Sequence, residues 1–297
     1  MEKSFFSIPN NAVGKAFVNE LSSTLQNYVD SKGSDGKVLY TFAVLPVLLL
    51  QKPMPSCGYK DATQHLRRRL DLWSPQDLSL LEEGRCLQMQ FTLKTRGGRL
   101  RGEEDCARQF GMCMATGQVH QALRMLSEEK SDEASAGVFQ MEDMVMRNDG
   151  EPVTVGEVLK DKHPQAQTPP EDILFGGYPA RVNPIRFEAL TANLLQRVAL
   201  QCQGSAGPSG LNAHTWRRLC SSFKGASMKL CQALAAFARV LATRSLEAAP
   251  LVPFLSCRLI ALNKKPGVRP IGVCDVARRI VARAILRGVG KDIEEAC

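Results

Sequence analysis

The sequence predicts a mainly α-helical protein with one small β-hairpin near its carboxyl end, an α+β fold class. Apolar residues recur at helical spacing in several segments, most clearly at residues 229–243, which is the pattern of amphipathic helices. Two short apolar runs flank a turn-forming segment at residues 263–267, which is the pattern of a hairpin. Apolar residues make up 44% and charged residues 23%, a balance typical of a globular protein with a substantial core.

Residues 1–160 are predicted to form a helical region. Its helices are expected at residues 19–29, 61–72, 74–93, 103–114, 118–127 and 153–159. The apolar run at residues 40–50 predicts either a short helix or a strand, because Pro46 interrupts it. In the helix at residues 61–72, the three consecutive arginines Arg67, Arg68 and Arg69 are expected on the solvent side.

A proline-rich linker is predicted at residues 161–183. Pro164, Pro169 and Pro170 fall within nine residues there, and this density of prolines supports no regular element. The linker separates the helical region from a third segment, residues 184–297.

Helices are also expected in the third segment, at residues 186–200, 212–219 and 229–243. The last of these has the clearest amphipathic pattern, because four apolar residues follow the helical period. They are Leu230, Leu234, Phe237 and Leu241. This stripe predicts a core-facing helix.

The predicted hairpin has strands at residues 254–262 and 268–273. Pro270 has no N–H to donate to a neighbouring strand, so the second strand is expected at a sheet edge or with a bulge. Asp275 is interpreted as the N-cap of a helix that runs to about residue 289.

Positive charge is concentrated in the carboxyl-terminal third. Residues 209–297 contain 15 Lys and Arg against 5 Asp and Glu, a net charge of +10, whereas the whole chain has a net charge of +8. Such a region favours polyanions such as nucleic acid. On charge alone, a solvated basic helix face explains the pattern equally well.

Several classes of protein find no support in the sequence. The longest uncharged apolar run, residues 41–50, is half the length of about 20 residues that a membrane-spanning helix needs. The amino terminus has no secretory signal pattern. The ten cysteines are scattered without a Cys-x-x-Cys pair, which indicates reduced thiols in an intracellular protein of the cytoplasm or nucleus. Motifs for nucleotide-cofactor binding or hydrolysis are not found, so no small-molecule substrate is predicted.

Residues 204–290 resemble the fingers part of a retroelement reverse transcriptase. The resemblance is carried by GSAGPSGLNAHTWRRL at 204–219, by RLIALNKKPGVRPIGV at 258–273 and by the basic helix that follows. Upstream stretches such as VLLLQKPMPS, LRRRLDLW and QFGMCMATGQVHQALRML are similar to retroelement polyprotein sequence preceding the polymerase. Ser209 departs from the family, which often has aspartate there.

The resemblance implies that Lys264 or Lys265, together with Arg269, contacts the triphosphate of an incoming nucleotide or the template backbone. The helix after the hairpin adds three arginines at four-residue spacing, which suit phosphate binding without sequence readout. They are Arg279, Arg283 and Arg287. We expect weak, sequence-indifferent binding to the backbone of RNA or DNA, and no membrane partner.

The aspartates that the family uses to hold two catalytic metal ions are missing from the sequence. No Asp-Asp dipeptide occurs in the chain, and the carboxylates after the hairpin are a predicted helix cap and a polar terminus. We therefore assign no catalytic residue and no metal ligand, and we interpret the chain as truncated before the palm and inactive by itself. Magnesium is expected only for a full-length polymerase.

Two alternative interpretations remain open. One is a host-retained nucleic-acid-binding protein without an enzymatic role. The other is a helical protein-interaction module centred on residues 61–160, in which the basic carboxyl-terminal region is incidental.

Overall fold

The computed structural model is mainly helical with small antiparallel sheets, so the predicted fold class is confirmed. It describes residues 5–52, 61–74, 79–96, 103–115, 138–139, 141–146, 150–163, 184–244, 246, 248–263 and 267–296. No helix within these ranges is both long enough and apolar enough to cross a membrane.

Helices account for most of the described elements. The α-helices are α1 (Ala12–Asp30), α2 (Gly36–Leu50), α3 (Ala62–Leu72), α4 (Ser79–Arg96), α5 (Glu103–Ala115), α6 (Val155–Lys162), α7 (Ala192–Gln201), α8 (Ala213–Ser221), α9 (Gly225–Thr243), α10 (Ala248–Leu255) and α11 (Val276–Ala296). A 3-10 helix covers Pro184–Ala189. The helix expected at residues 118–127 lies outside the described residues.

The strands are β1 (Val138–Phe139), β2 (Met144–Met146), β3 (Pro152–Thr154), β4 (Cys257–Asn263) and β5 (Val268–Cys274). Strands β2 and β3 form an antiparallel pair, and the other sheet has the order β1-β4-β5. Among the described strands β5 is therefore an edge strand, which confirms the edge position expected for Pro270. The predicted hairpin is present as β4 and β5.

The chain divides into two compact units that are not continuous in sequence. The larger unit comprises Met1–Gln88, Phe175–Arg258 and Val273–Cys297. The smaller unit comprises Met89–Leu174 and Leu259–Gly272. The division into segments 1–160, 161–183 and 184–297 stays a prediction.

The core of the larger unit is built around α1 and α9, the helix pair with the most extensive packing. Phe17 and Leu21 of α1 are fully buried, as are Leu230 and Leu234 of α9. Phe237 is buried beside them, so the core-facing stripe predicted for this helix is confirmed. Burial of each such side chain contributes about 1.5–3 kcal/mol relative to exposure.

Several element boundaries differ from the prediction because caps set them. Helix α1 begins at Ala12 because the Asn11 side chain accepts hydrogen bonds from the N–H groups of residues 13 and 14. Helix α7 begins at Ala192 after the Thr191 cap, and residues 184–189 before it form the 3-10 helix. The first strand of the hairpin begins at Cys257, because residues 254 and 255 end α10.

Helix α2 continues through Pro46, so of the two alternatives for residues 40–50 the structure has the helix. Its carboxyl-terminal carbonyls are bonded by side chains of α3. The Arg69 guanidinium donates to the Leu48 carbonyl and, at 2.8 Å, to the Glu83 carboxylate of α4. The His65 Nε2 atom lies 2.9 Å from the Gln51 carbonyl oxygen. These bonds satisfy backbone acceptors that a helix end leaves without intrahelical partners.

The expected solvent position of Arg69 is wrong. Arg67 and Arg68 are exposed, but the exposed fraction of Arg69 is 0%. The helical period alone places Arg69 beside Leu66, on the face that packs against α2. Its charge is tolerated there because Glu83 and a carbonyl oxygen replace water as its partners.

The smaller unit has its own small core. Val155 and Leu159 of α6 pack with Ala261 of β4 and Val268 of β5. A reciprocal capping box between Thr154 and Glu157 starts α6. At the other end of this helix, residue Lys162 donates from Nζ to the Val268 carbonyl at 2.6 Å. The hairpin strand β5 is thus fixed to α6 by both packing and a hydrogen bond.

The burial of His65 predicts a loss of stability in mild acid. Desolvation, and then the positive charge of Arg69, lower the pKa of His65 to about 4, whereas the ordinary value is 6.5. Between these values the unfolded chain binds a proton that the native state does not. Lowering the pH from 7.5 to 5 is expected to reduce the free energy of unfolding by about 2 kcal/mol through this residue.

Urea denaturation at both pH values checks this expectation. The His65→Gln variant should lack this part of the pH dependence, whereas the matched His214→Gln variant, altered at an exposed histidine, should keep it. Equal pH dependence of wild type and His65→Gln would contradict the inference.

Candidate nucleic-acid interface

The predicted phosphate-binding residues of the hairpin are only partly within the described residues. Lys264 and Lys265 lie outside them. Arg269 is on β5 and is exposed. Its neighbour Val268 is 2% exposed and belongs to the core of the smaller unit. Because side chains alternate along a strand, Arg269 projects from the face opposite that core.

The other three predicted residues lie on α11 in the larger unit. The apolar side of this helix is buried in the core through Ile280, Val281 and Ala284. Arg283 lies between these residues in sequence but is exposed. Among the described residues it has no hydrogen-bond or ion-pair partner. The helix therefore presents an unpaired guanidinium from a rigid, well-packed support.

Arg279 and Arg287 are engaged by other groups of the same unit. Arg279 donates to the Gln203 carbonyl at 2.8 Å and also to the Ser205 carbonyl. Arg287 donates to the side-chain oxygen of Gln201 on α7. The three arginines predicted as one stripe thus differ in availability, and Arg283 is the one without a partner in the described part of the chain.

Asp275 is the N-cap of α11, as predicted. Its Oδ1 atom accepts a hydrogen bond from the Ala277 N–H at 3.0 Å. Its Oδ2 atom accepts one from the Ser209 N–H at 3.1 Å, and the residue is only 9% exposed. Both carboxylate oxygens are therefore bonded to backbone N–H groups of the larger unit.

The glycine-rich turn at residues 204–210 is held by Asp275, the N-cap of α11, and by Arg279 of the helix itself. Asp275 bonds its far end and Arg279 bonds its near end, with one helical turn between them. We call this arrangement the α11 clamp. Gly207 allows the close approach, because a Cβ atom there would lie 2.5 Å from both the N and the Cα of Asp275.

The four predicted phosphate-binding arginines share one electrostatic feature. Within the described residues, no carboxylate forms an ion pair with Arg269, Arg279, Arg283 or Arg287. Elsewhere in the larger unit, Arg68 and Arg69 do form ion pairs, both with Glu83. The guanidinium groups of Arg269 and Arg283 are therefore not neutralised by any carboxylate of the described residues, and their charge is available to attract anions.

The sequence did not reveal which basic residues hold the fold. Arg278 donates to the Leu255 carbonyl at 2.7 Å, and Lys162 bonds the Val268 carbonyl. No local pattern distinguishes these residues from solvated ones, because their partners are backbone carbonyls distant in sequence. The glycine at position 207 and the cap at 275 were the two visible signs of the clamp.

The cysteines agree in part with the prediction of buried thiols. Cys202, Cys220 and Cys231 are buried and free, whereas Cys86 and Cys257 are free and exposed. A hydrogen bond with Cys231, and then burial, hold the pKa of Cys220 well above its usual value, so it stays a thiol. Within the described ranges, no group of three His, Cys, Asp or Glu side chains is placed to hold a metal ion.

No family model matches the chain, and neither a curated protein nor a solved structure matches it.

The close approach at Gly207 predicts that alanine is not tolerated there. Gly207→Ala places a methyl group against the backbone of Asp275, so the turn and α11 must separate. Overpacking of this kind typically costs about 1–3 kcal/mol of unfolding free energy. Thermal and urea unfolding measure the effect.

Gly290→Ala is the matched control, because nothing lies within 4 Å of the Cβ position there and the residue is helical. Alanine at position 290 should be neutral or stabilising by up to about 1 kcal/mol. If Gly207→Ala and Gly290→Ala both have the unfolding free energy of wild type, the α11 clamp does not hold the turn closely.

Proposed function

We propose that this chain binds the phosphate backbone of RNA or DNA, as part of a protein like the fingers region of a retroelement reverse transcriptase. The observation that carries the proposal is the set of exposed arginines on α11 and β5 for which the described residues supply no carboxylate partner. Phosphate oxygens would supply the negative charge that pairs with these guanidinium groups. Binding through the backbone is indifferent to base sequence.

On the larger unit, Arg283 is best placed to contact a phosphate. Its helix is fixed by the buried residues Ile280 and Ala284, so little backbone conformational entropy is lost on binding. A guanidinium presents several N–H donors in one plane and bonds two phosphate oxygens at once. Arg287 adds charge nearby on the same helix and can exchange its Gln201 partner for a phosphate.

On the smaller unit, the proposed contact is the tip and outer face of the β4–β5 hairpin. Arg269 is exposed there, and the carbonyl of the preceding residue is held by Lys162. Lys264 and Lys265 precede it in sequence and add two further charges. A short cationic ribbon of this kind positions a strand through its phosphates.

The chain is proposed to act in binding rather than in nucleotidyl transfer. Asp275, the carboxylate closest in sequence to the hairpin, has both oxygens bonded to backbone N–H groups. It therefore serves as a cap. We assign the chain no metal ligand, and magnesium is expected only with a full-length polymerase. An intracellular location, in the cytoplasm or nucleus, is proposed because a nucleic-acid partner and free cysteines fit it.

A salt series tests the hairpin contact. Filter binding of the 297-residue chain to single-stranded RNA should show affinity that falls as salt rises. Replacing Lys264, Lys265 and Arg269 with alanine removes three cations. The slope of log affinity against log salt should then become shallower by about 2, since each phosphate contact on a single strand contributes about 0.7.

The matched control removes three exposed charges elsewhere, with Lys15, Arg67 and Arg85 changed to alanine. This variant has the same net charge as the hairpin variant but should keep the wild-type slope. Equal slopes for the hairpin variant and wild type, or equal losses in both variants, would remove the hairpin from the interface.

A primer-extension assay tests the proposed absence of catalysis. The purified chain, given primer–template, nucleotides and magnesium, should bind nucleic acid but add no nucleotides, because no pair of free carboxylates is assigned to hold the metals. The products are resolved on a denaturing gel beside an active polymerase. Extension that persists after extensive purification would overturn this part of the proposal.

A further inference from the structure

The β2–β3 hairpin of the smaller unit has one covered face and one bare apolar face. Val145 packs toward the core of the unit, and it pairs across the strands with Val153. The alternate residues Met144 and Met146 project from the other face and are 60% and 64% exposed. Met141, in the turn before β2, is 43% exposed.

Exposure of this kind is not explained by folding. Single exposed apolar side chains are common, but Met144 and Met146 share one face of the strand, and Met141 is exposed three residues before them. Methionine is flexible and polarisable, so it adapts to the shape of an apolar partner, and it is over-used at protein-binding surfaces. We call Met141, Met144 and Met146 the methionine face.

The methionine face lies in an acidic stretch of the sequence. Residues 141–157 contain five Asp and Glu and one Arg, a net charge of −4. Glu142, Asp143 and Glu151 are all exposed. Phosphates would be repelled here, so this surface is distinct from the proposed nucleic-acid interface. A partner must combine apolar groups with positive charge.

We propose that the methionine face docks a basic amphipathic helix of a partner protein. The apolar stripe of such a helix would cover the methionines. Its Lys and Arg residues would lie near Glu142, Asp143 and Glu151, which we call the acidic rim. The spacing agrees: Met144 and Met146 are about 7 Å apart along the strand. Apolar residues at i and i+4 of a helix are separated by about 6 Å along its axis.

The test uses the full chain and a fluorescent 18-residue peptide of Leu and Lys, with Leu at i, i+3, i+4 and i+7 spacing. Fluorescence anisotropy should show saturable binding that weakens with salt. A peptide with the same composition in scrambled order should bind at least tenfold more weakly, because it has no continuous apolar stripe. A peptide with Glu in place of Lys should not bind, because the acidic rim repels it.

Met144→Thr/Met146→Thr should weaken binding of the helical peptide at least tenfold, since threonine keeps the strand but removes the apolar contact. Met112→Thr/Met114→Thr is the control, because these methionines of α5 are also exposed, at 65% and 46%. It should bind as wild type does. Matching urea unfolding curves for wild type and the β2 variant would show that the β2 variant is folded.

NMR of methyl-labelled methionine supplies a direct readout that does not depend on the variants. Addition of the helical peptide should shift the methyl signals of Met144 and Met146 and leave that of Met112 unchanged. Equal binding of the scrambled peptide, undiminished binding by the β2 variant, or shifts confined to Met112 would overturn the proposal. So would concentration-dependent self-association that the β2 substitutions abolish, since the occupant would then be a second copy of the chain.

Discussion

The carboxyl-terminal half of the larger unit depends on the hydrogen bonds that join the start of α11 to the glycine-rich turn. Asp275 starts the helix and, with the same carboxylate, holds the Ser209 N–H. Arg279, one turn later, holds the carbonyls of residues 203 and 205. Because the helix is tied down at its first turn and buried along one side, the direction of its exposed arginines is fixed by the fold.

Basic residues in this protein fall into two groups, those that bond backbone carbonyls and those proposed to bind phosphate. Some bond backbone carbonyls across the larger unit, as Arg218 does with the Ile8 carbonyl at 2.8 Å and Arg239 with the Leu190 carbonyl at 2.9 Å. A region with few acidic residues thus uses carbonyl dipoles where other proteins use ion pairs. The second group, represented by Arg283 and Arg269, has no such partner within the part of the chain that the structure describes, and it gives the proposed interface its charge.

The parts of the fold predicted from the sequence are those with a local physical cause. The stripe through Leu230 and Phe237, the cap at Asp275 and the edge position of Pro270 follow from periodicity, capping and a missing N–H. The helical period already places Arg69 on the face of Leu66, but its partners could not be predicted, because the Leu48 carbonyl belongs to α2 and the Glu83 carboxylate belongs to α4. The short strands β1–β3 were also missed, since segments of two or three residues carry no periodic signal.

Arg279 of α11 stabilises the fold and Arg283 of the same helix is proposed to bind phosphate. Paired substitutions of these two arginines test this difference directly. Arg279→Ala and Arg283→Ala change the net charge equally, so RNA affinity and unfolding free energy can be measured side by side on both. Arg279→Ala should lower the free energy of unfolding, because the turn is released, whereas Arg283→Ala should keep it and weaken RNA binding. The reverse pattern, with a stable Arg279→Ala that fails to bind RNA and an Arg283→Ala that binds normally, would contradict it.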